Sequence, residues 1–281
     1  MPAIIPVDDP EDPRVAAYRD VRERDLVGRQ GLFMAEGEVV LRLLLASRQH
    51  RPVSLLLAGN RLAALAPLLA SVPDDVPVYA AAQAVLDAVA GFHLHRGILA
   101  LGRRAPMPAA GALLAEAGPR AMVVVACGIG NHDNMGGIFR NAAAFGADAV
   151  ILDAGCCDPL YRKAIRVSVG AALIVPTARM EPDTDPVSLL ERHGFVPVAL
   201  SPAGAVPLSA MERPERVALL LGTEGPGLPA NVLARARTVA IPMAPGFDSL
   251  NVATAGAIAM HHFADLARSG RPAPEATRNA P

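Results

Sequence analysis

Lysine is almost absent from this 281-residue chain: Lys163 stands alone among 26 basic residues, and the rest are arginine. Cysteine is scarce as well. Cys127, Cys156 and Cys157 are odd in number and show no C-x-x-C spacing, which excludes a disulfide framework and supplies no zinc-ligand pattern. We read them as reduced residues of a cytoplasmic protein without a metal. No apolar run approaches the roughly 18 residues of a membrane span. The opening "MPAIIPVDDPEDPR" lacks the basic start and apolar core of a signal peptide. Basic excess is missing too: the net charge is −1, so contact with nucleic acid would have to come from a local patch. Arginine suits planar phosphate recognition, yet it accompanies abundant Ala, Pro and Gly, as a GC-rich genome also produces.

What is present is apolar residue in quantity. At 52% hydrophobic and 19% charged, the chain can bury a sizeable core, and its length suits one large or two modest domains. Residues 10–48 read as two helical pieces broken near "GRQGLF", with an apolar face through Val39, Val40, Leu43 and Leu44. Short apolar runs follow at 52–58, 76–80 and 97–102, with helical stretches at 61–70 and 82–90 between them, which implies a small layered α/β unit. The stretch 103–120 is rich in Pro, Gly and Ala and marks a domain boundary. Beyond it, almost wholly apolar runs predict strands at 121–127, 148–152, 172–176, 195–200, 217–221 and 238–242, as expected of parallel strands covered on both faces. Helices are predicted at 135–145, 159–170, 186–193, 229–236 and 252–268, before a disordered tail at 271–281.

Three glycine-bearing loops follow strands. The first, in "VVVACGIGNHDNMGGIFRN", outlines a dinucleotide cradle through Gly128 and Gly130, with Asp153 as the late acid. Its third position is Asp133, a good helix cap whose charge would repel a pyrophosphate on the same helix dipole. That argues against NAD or FAD and leaves open a Rossmann-type adenosylmethionine enzyme. The second loop is "LLLGTEGPGLP", with Gly222, Gly225 and Gly227; the third is "IPMAPGFDSLNVATAGAIAMHHF", where Ser249 or Asn251 can cap a helix of small residues.

Taken in order, these segments resemble the SpoU (TrmH-like) branch of the SPOUT RNA 2′-O-ribose methyltransferases. The resemblance rests on N-x-G-x-x-x-R at Asn134, Gly136 and Arg140, on the 219–229 run with Glu224, and on "IPM…SLNVATA" with Ser249 and Asn251. It covers about 120–265. Residues 14–104 more loosely resemble the family's L30e-like domain through "FMAEGEVVLRLLL" and "HRGILALG". Asn141 replaces a usual Ser or Thr, and "GIGNHDN" replaces a shorter approach.

The resemblance implies an α/β fold with a mainly parallel sheet and a deep trefoil knot. Its implied divisions are an N-terminal arm and L30e-like RNA-binding domain (1–104), a linker (105–119), the methyltransferase domain (120–270) and the tail. It implies S-adenosyl-L-methionine as donor, held by Gly222, Thr223, Gly225, Ile241, Met243 and Leu250, and a homodimer acting on rRNA or tRNA. In-line transfer requires the ribose oxygen about 3–3.5 Å from the methyl carbon. Arg140 is the implied activator of the 2′-hydroxyl. As a literal base it would need its pKa lowered from about 12.5 to 7, roughly 7.5 kcal/mol, so we favour a clamp on phosphate and developing alkoxide. Asn134 would orient Arg140 or the ribose, Glu224 would pair with Arg140, and Ser249 and Asn251 would hold the donor loop and ribose. His132 is a further candidate beside Asn134, while His93, His95, His261 and His262 read as structural or surface residues. Arg162, Lys163 and Arg166 form the best local basic patch for RNA, whose contacted bases are expected in a loop or bulge. A non-catalytic RNA-binding or ribosome-assembly protein is the competing reading outside enzymes.

Overall fold

The computed structural model describes residues 2–19 and 23–264. In its first unit, five strands form a mixed sheet: β1 (Ile4–Val7), β2 (Leu32–Glu36), β3 (Arg51–Ala58), β4 (Val78–Ala81) and β5 (Ile98–Arg103). Their spatial order is β1-β4-β3-β5-β2, with β5 antiparallel to both of its neighbours. Helices α1 (Glu23–Gly28), α2 (Glu38–Ala46), α3 (Leu62–Leu69) and α4 (Gln83–Ala90) accompany the sheet. Alternation along β3 feeds two cores, Leu55 and Leu57 on one face and Leu56 and Ala58 on the other. The two helical pieces predicted for 10–48 are corrected here. "LFMAE" is a strand because its Phe33 and Ala35 bury against α2 while Met34 buries on the opposite face.

The second unit holds seven strands: β6 (Ala121–Ala126), β7 (Ala149–Leu152), β8 (Thr177–Arg179), β9 (Val196–Leu200), β10 (Val206–Pro207), β11 (Arg216–Leu221) and β12 (Arg237–Ala240). Every pairing is parallel, in the order β10-β12-β9-β11-β6-β7-β8. Parallel strands need coverage on both faces, and β6 shows it: Met122, Val124 and Ala126 enter one core, Ala121, Val123 and Val125 the other. Helices α5 (Ala110–Glu116), α6 (His132–Ala144), α7 (Arg162–Val167), α8 (Pro186–Arg192), α9 (Ala230–Leu233) and α10 (Val252–Phe263) complete the unit. The strand predicted at 172–176 is instead a 3₁₀ turn over Ala171–Leu173, with β8 beginning at Thr177. Leu173 is apolar because it buries in the first unit's core, not because it lies in a sheet. The end of the predicted last helix (265–268) and the tail lie outside the described residues.

The units share a core. Leu160, Ile165 and Leu173 pack with Val40, Leu41 and Leu44 of α2, so α7 belongs as much to the first unit as to the second. Ser47 Oγ donates to the Leu173 carbonyl at 2.9 Å, and Arg104 pairs with Asp158 across the same seam. His50 is buried there, its pKa pushed down to about 4 by burial and by the Arg104 charge.

Candidate active site

Three loops converge at the carboxyl ends of β9, β11 and β12, where ligands of open parallel sheets bind. After β11 the chain makes a tight hairpin. Gly227 N donates to the Thr223 carbonyl at 3.2 Å, and Thr223 Oγ1 donates to the Gly227 carbonyl at 3.2 Å. Gly222 is required by contact: a Cβ there would lie 2.4 Å from the Gly227 carbonyl carbon and the Leu228 nitrogen. Gly225 is required by conformation, since its φ is +85° with open space around it.

These loops enclose a cavity of about 430 Å³. Gly222, Thr223, Gly225, Ile241, Met243 and Leu250 all line it, as do Glu224, Ser249 and Asn251. Sequence reasoning missed Leu200, Ser201 and Pro202, which also line it from the end of β9. The signal was available, for "VALSP" places a polar turn at the carboxyl end of a buried strand.

Asn134 does not line the cavity but is tied to residues that do. Buried at the start of α6, it donates from Nδ2 to Glu224 Oε1 and accepts from Asn251 Nδ2 at 2.7 Å. Asn251 meanwhile caps α10, its Oδ1 accepting from Ala253 N at 3.0 Å and Thr254 N at 3.2 Å. Seven residues on, Asn141 Nδ2 donates to the Ala253 carbonyl at 2.9 Å. Gly137 lies between them on the same helix face, and a Cβ on it would meet Ala253 Cβ at 2.7 Å. Gly136 faces the other way, against Val167 and Ala164 of α7.

The expected Arg140–Glu224 pair is absent. Glu224 is engaged by Asn134, and Arg140 is exposed with no hydrogen bond or ion pair among the described residues. The physical reason is helical phase: Arg140 shares a face with Asp133, seven residues earlier, rather than with Asn134. Ser249 is exposed, its hydroxyl 3.2 Å from Asp248 Oδ1.

The first glycine loop is closed rather than open to a ligand. Asp153 Oδ2 accepts from Gly128 N at 2.8 Å, and Ile129 N donates to Cys156 Sγ at 3.3 Å. The acid that a dinucleotide would need is thereby occupied by the loop's own backbone. Burial, then the Asp153 charge, pushes the Cys127 and Cys156 thiols up to about 12, which leaves them unreactive at neutral pH. The cap of α6 is Asn131, whose side chain accepts from Asp133 N at 2.7 Å; Asp133 itself pairs with Lys163 at 2.5 Å. His132 stacks on Tyr161, 4.6 Å between centroids, and burial followed by the Lys163 charge lowers its pKa.

Arg162 departs from its expected place on an RNA-facing rim. Its guanidinium binds Glu36 through Nε at 3.1 Å and Nη2 at 2.8 Å and lies over the Phe92 ring at 4.7 Å, bridging the units. Lys163 and Arg166 remain exposed on α7.

Residues 121–261 match the model of the SpoU rRNA Methylase family. The chain is 44% identical over 272 residues to an uncharacterized tRNA/rRNA methyltransferase of Mycobacterium bovis, covering 93% of this chain and 91% of that one. A Mycobacterium tuberculosis protein of the same description is 43% identical over the same spans. Among solved structures, an AdoMet-bound rRNA methyltransferase from Sinorhizobium meliloti superposes with a TM-score of 0.75 at 23% identity, covering 92% of this chain and 97% of that one. The SpoU methyltransferase AviRb from Streptomyces viridochromogenes, in complex with AdoMet, gives 0.76 at 21% identity over 90% and 97% of the two chains. These two likenesses concern the fold.

Proposed function

The chain belongs to the SpoU rRNA Methylase family, and from that premise we propose that it moves a methyl group from S-adenosyl-L-methionine to the 2′-hydroxyl of a ribose in structured rRNA or tRNA. The observation that carries the reading is the convergence of Gly222, Thr223, Gly225, Ile241, Met243 and Leu250 on one cavity. Its volume lies within the range of small-molecule pockets, and its mixture of apolar side chains and loop backbone suits a nucleoside with a charged tail. A Cβ on Gly222 would collide with the Gly227 and Leu228 backbone, so glycine there keeps the hairpin that lines the cavity tightly closed on itself. When bound, the donor supplies an electrophilic methyl on a sulfonium.

The chain's own work is positioning and charge. Ile241, Met243 and Leu250 would hold the apolar part of the donor, and the 222–227 hairpin would offer backbone groups to its polar part. Asn251, Asn134 and Glu224 form one hydrogen-bonded line from the cap of α10 to the donor loop, so the nucleotide meets a rigid edge. Arg140, free of internal partners, is left to clamp the RNA phosphate and the oxyanion that develops on the ribose, while a phosphate oxygen of the RNA takes the 2′-hydroxyl proton and the donor would leave as the neutral thioether S-adenosyl-L-homocysteine. Lys163 and Arg166 extend that positive edge along α7. Residues 1–104 serve as the L30e-like RNA-binding domain and 120–270 as the catalytic domain; the expected linker 105–119 is linker only up to α5, whose Ala110 and Leu114 are buried in the second unit's core. Insertion of β11 between β6 and β9, before α10 packs beside α6, supports a trefoil knot. The half-exposed Ile258 on α10 supports a homodimer through that helix. Free Cys127, Cys156 and Cys157 support a reducing, cytoplasmic setting.

The discriminating experiment is donor binding by calorimetry to two alanine variants. Gly222→Ala must push backbone aside and should weaken donor binding tenfold or more. Gly130→Ala, with nothing within 4 Å of the new Cβ, should bind as wild type. The opposite pattern would return the donor to the Gly128–Gly130 loop.

A further inference from the structure

The loop between α4 and β5, residues 91–97, is built to display side chains. Leu94 plugs it into the core at 0% exposure, and its amide donates to Asp87 Oδ1 at 2.9 Å. Gln83 Nε2 holds the same carboxylate oxygen at 2.7 Å and the Leu94 carbonyl at 3.1 Å, while His93 Nδ1 lies 2.7 Å from Asp87 Oδ2. Gly91 and Gly97 turn the chain at either end with φ of +77° and +59°. Around this anchored plug Phe92, His93, His95 and Arg96 are all exposed. Phe92 leaves 45% of its surface open, although its ring is already fixed by the Arg162 guanidinium 4.7 Å away. His95 meets His93 edge-on at 4.5 Å.

The charges around the loop select the ligand. Each nearby acid is engaged: Asp87 within the loop, Glu36 by Arg162, Glu38 by Arg42 and Arg61, and Asp133 by Lys163. Arg96 and Arg166 have no hydrogen bond or ion pair among the described residues. A fixed aromatic face beside open cations matches a polyanion that also carries π faces. The surface runs toward Arg140: Arg162 rests on Phe92, its neighbour Lys163 pairs with Asp133, and Asp133 shares a face of α6 with the exposed Arg140.

We propose that Phe92 is a stacking platform for an unpaired RNA base near the methylated nucleotide, with Arg96 taking an adjacent phosphate. This rests on the RNA-methylating reading above and narrows the substrate to RNA that is single-stranded beside its target. Every base presents a π face, so the contact selects strandedness more than sequence.

Fluorescence anisotropy on the full chain tests it, with a 12-nucleotide oligouridylate and a 12-base-pair RNA duplex as probes. Phe92→Leu keeps apolar bulk without the ring and Phe92→Trp keeps a ring. Phe92→Leu should weaken single-strand binding roughly 5- to 150-fold, the range for loss of one base–aromatic stack. Phe92→Trp should stay within about twofold, and duplex binding should be unchanged in both. A single strand carrying 2-aminopurine should be quenched by wild type and not by Phe92→Leu. The proposal is overturned if Phe92→Leu binds the single strand as wild type does, if both probes weaken equally, or if quenching persists. Donor calorimetry on the same preparations separates the two readings: a wild type that binds no S-adenosylmethionine refutes methyl transfer, whereas the strandedness result stands or falls with Phe92.

Discussion

Replacing Asn134 by Asp alters one atom of a buried amide and puts a carboxylate against Glu224. In the native chain Asn134 Nδ2 donates to Glu224 Oε1, while Asn251 donates to the Asn134 oxygen at 2.7 Å. The Asn251 bond survives the change and becomes charge-assisted. The Glu224 bond becomes a contact between two anions. At a separation of about 3 Å that repulsion is about 1.4 kcal/mol in water and about 5.5 kcal/mol at an effective dielectric of 20. Glu224 is exposed, which favours the lower end. A new charge in the first turn of α6 regains about 0.3–1 kcal/mol from the helix dipole. The net expectation is a loss of about 1–3 kcal/mol at pH 7, near 2–4 °C in Tm for each kcal/mol. Repulsion raises the pKa of the new carboxyl in the folded state. The folded state then binds more protons than the unfolded one, so the deficit shrinks as pH falls from 7 toward 5. Thermal unfolding of wild type and Asn134→Asp between pH 5 and 8 reads this directly, and adding Glu224→Gln should restore most of the loss. A deficit that does not vary with pH, or that Glu224→Gln leaves intact, would refute the assigned bond.

Three further outcomes follow from the geometry. Arg140→Ala, at an exposed position without an internal partner, should change stability by no more than about 0.5 kcal/mol, while methyl transfer measured with labelled donor falls a hundredfold or more and donor affinity holds. Arg162→Ala strands Glu36 at the seam between the units and should lower stability by about 1–3 kcal/mol in denaturant titration, again with donor affinity unchanged. His50, with its folded pKa near 4, binds fewer protons folded than unfolded. Stability should therefore fall as pH drops from about 6.5 toward 4, by up to about 3 kcal/mol, and His50→Gln should flatten that slope.

Periodicity alone located most strands of the second sheet to within a residue or two, because parallel strands buried on both faces leave uninterrupted apolar runs such as "AMVVVA" and "VALLL". It failed where apolar residues bury against something other than a sheet. Leu173 and its neighbours form a turn that plugs the first unit, and "LFMAE" alternates too briefly to be told from a helix. The loops that line the cavity were legible as glycine clusters, and their order along the chain carried the family resemblance. Ser201 and Pro202 carry no glycine and went unread.

What the sequence by itself determined is therefore the alternation of strand and helix, the three glycine loops and the residue types they present. Only the tertiary structure decided which loop is open. Asp153 lies 25 residues beyond Gly128, and its carboxylate closes the first loop by binding that amide. Glu224 lies 90 residues beyond Asn134, and it binds that side chain instead of Arg140. Arg162 lies 126 residues beyond Glu36, and their pairing commits to the seam between the units a basic residue that local pattern offered as an RNA contact. Each decision is a partner chosen across the fold by burial and helical phase, which no local pattern of residues encodes.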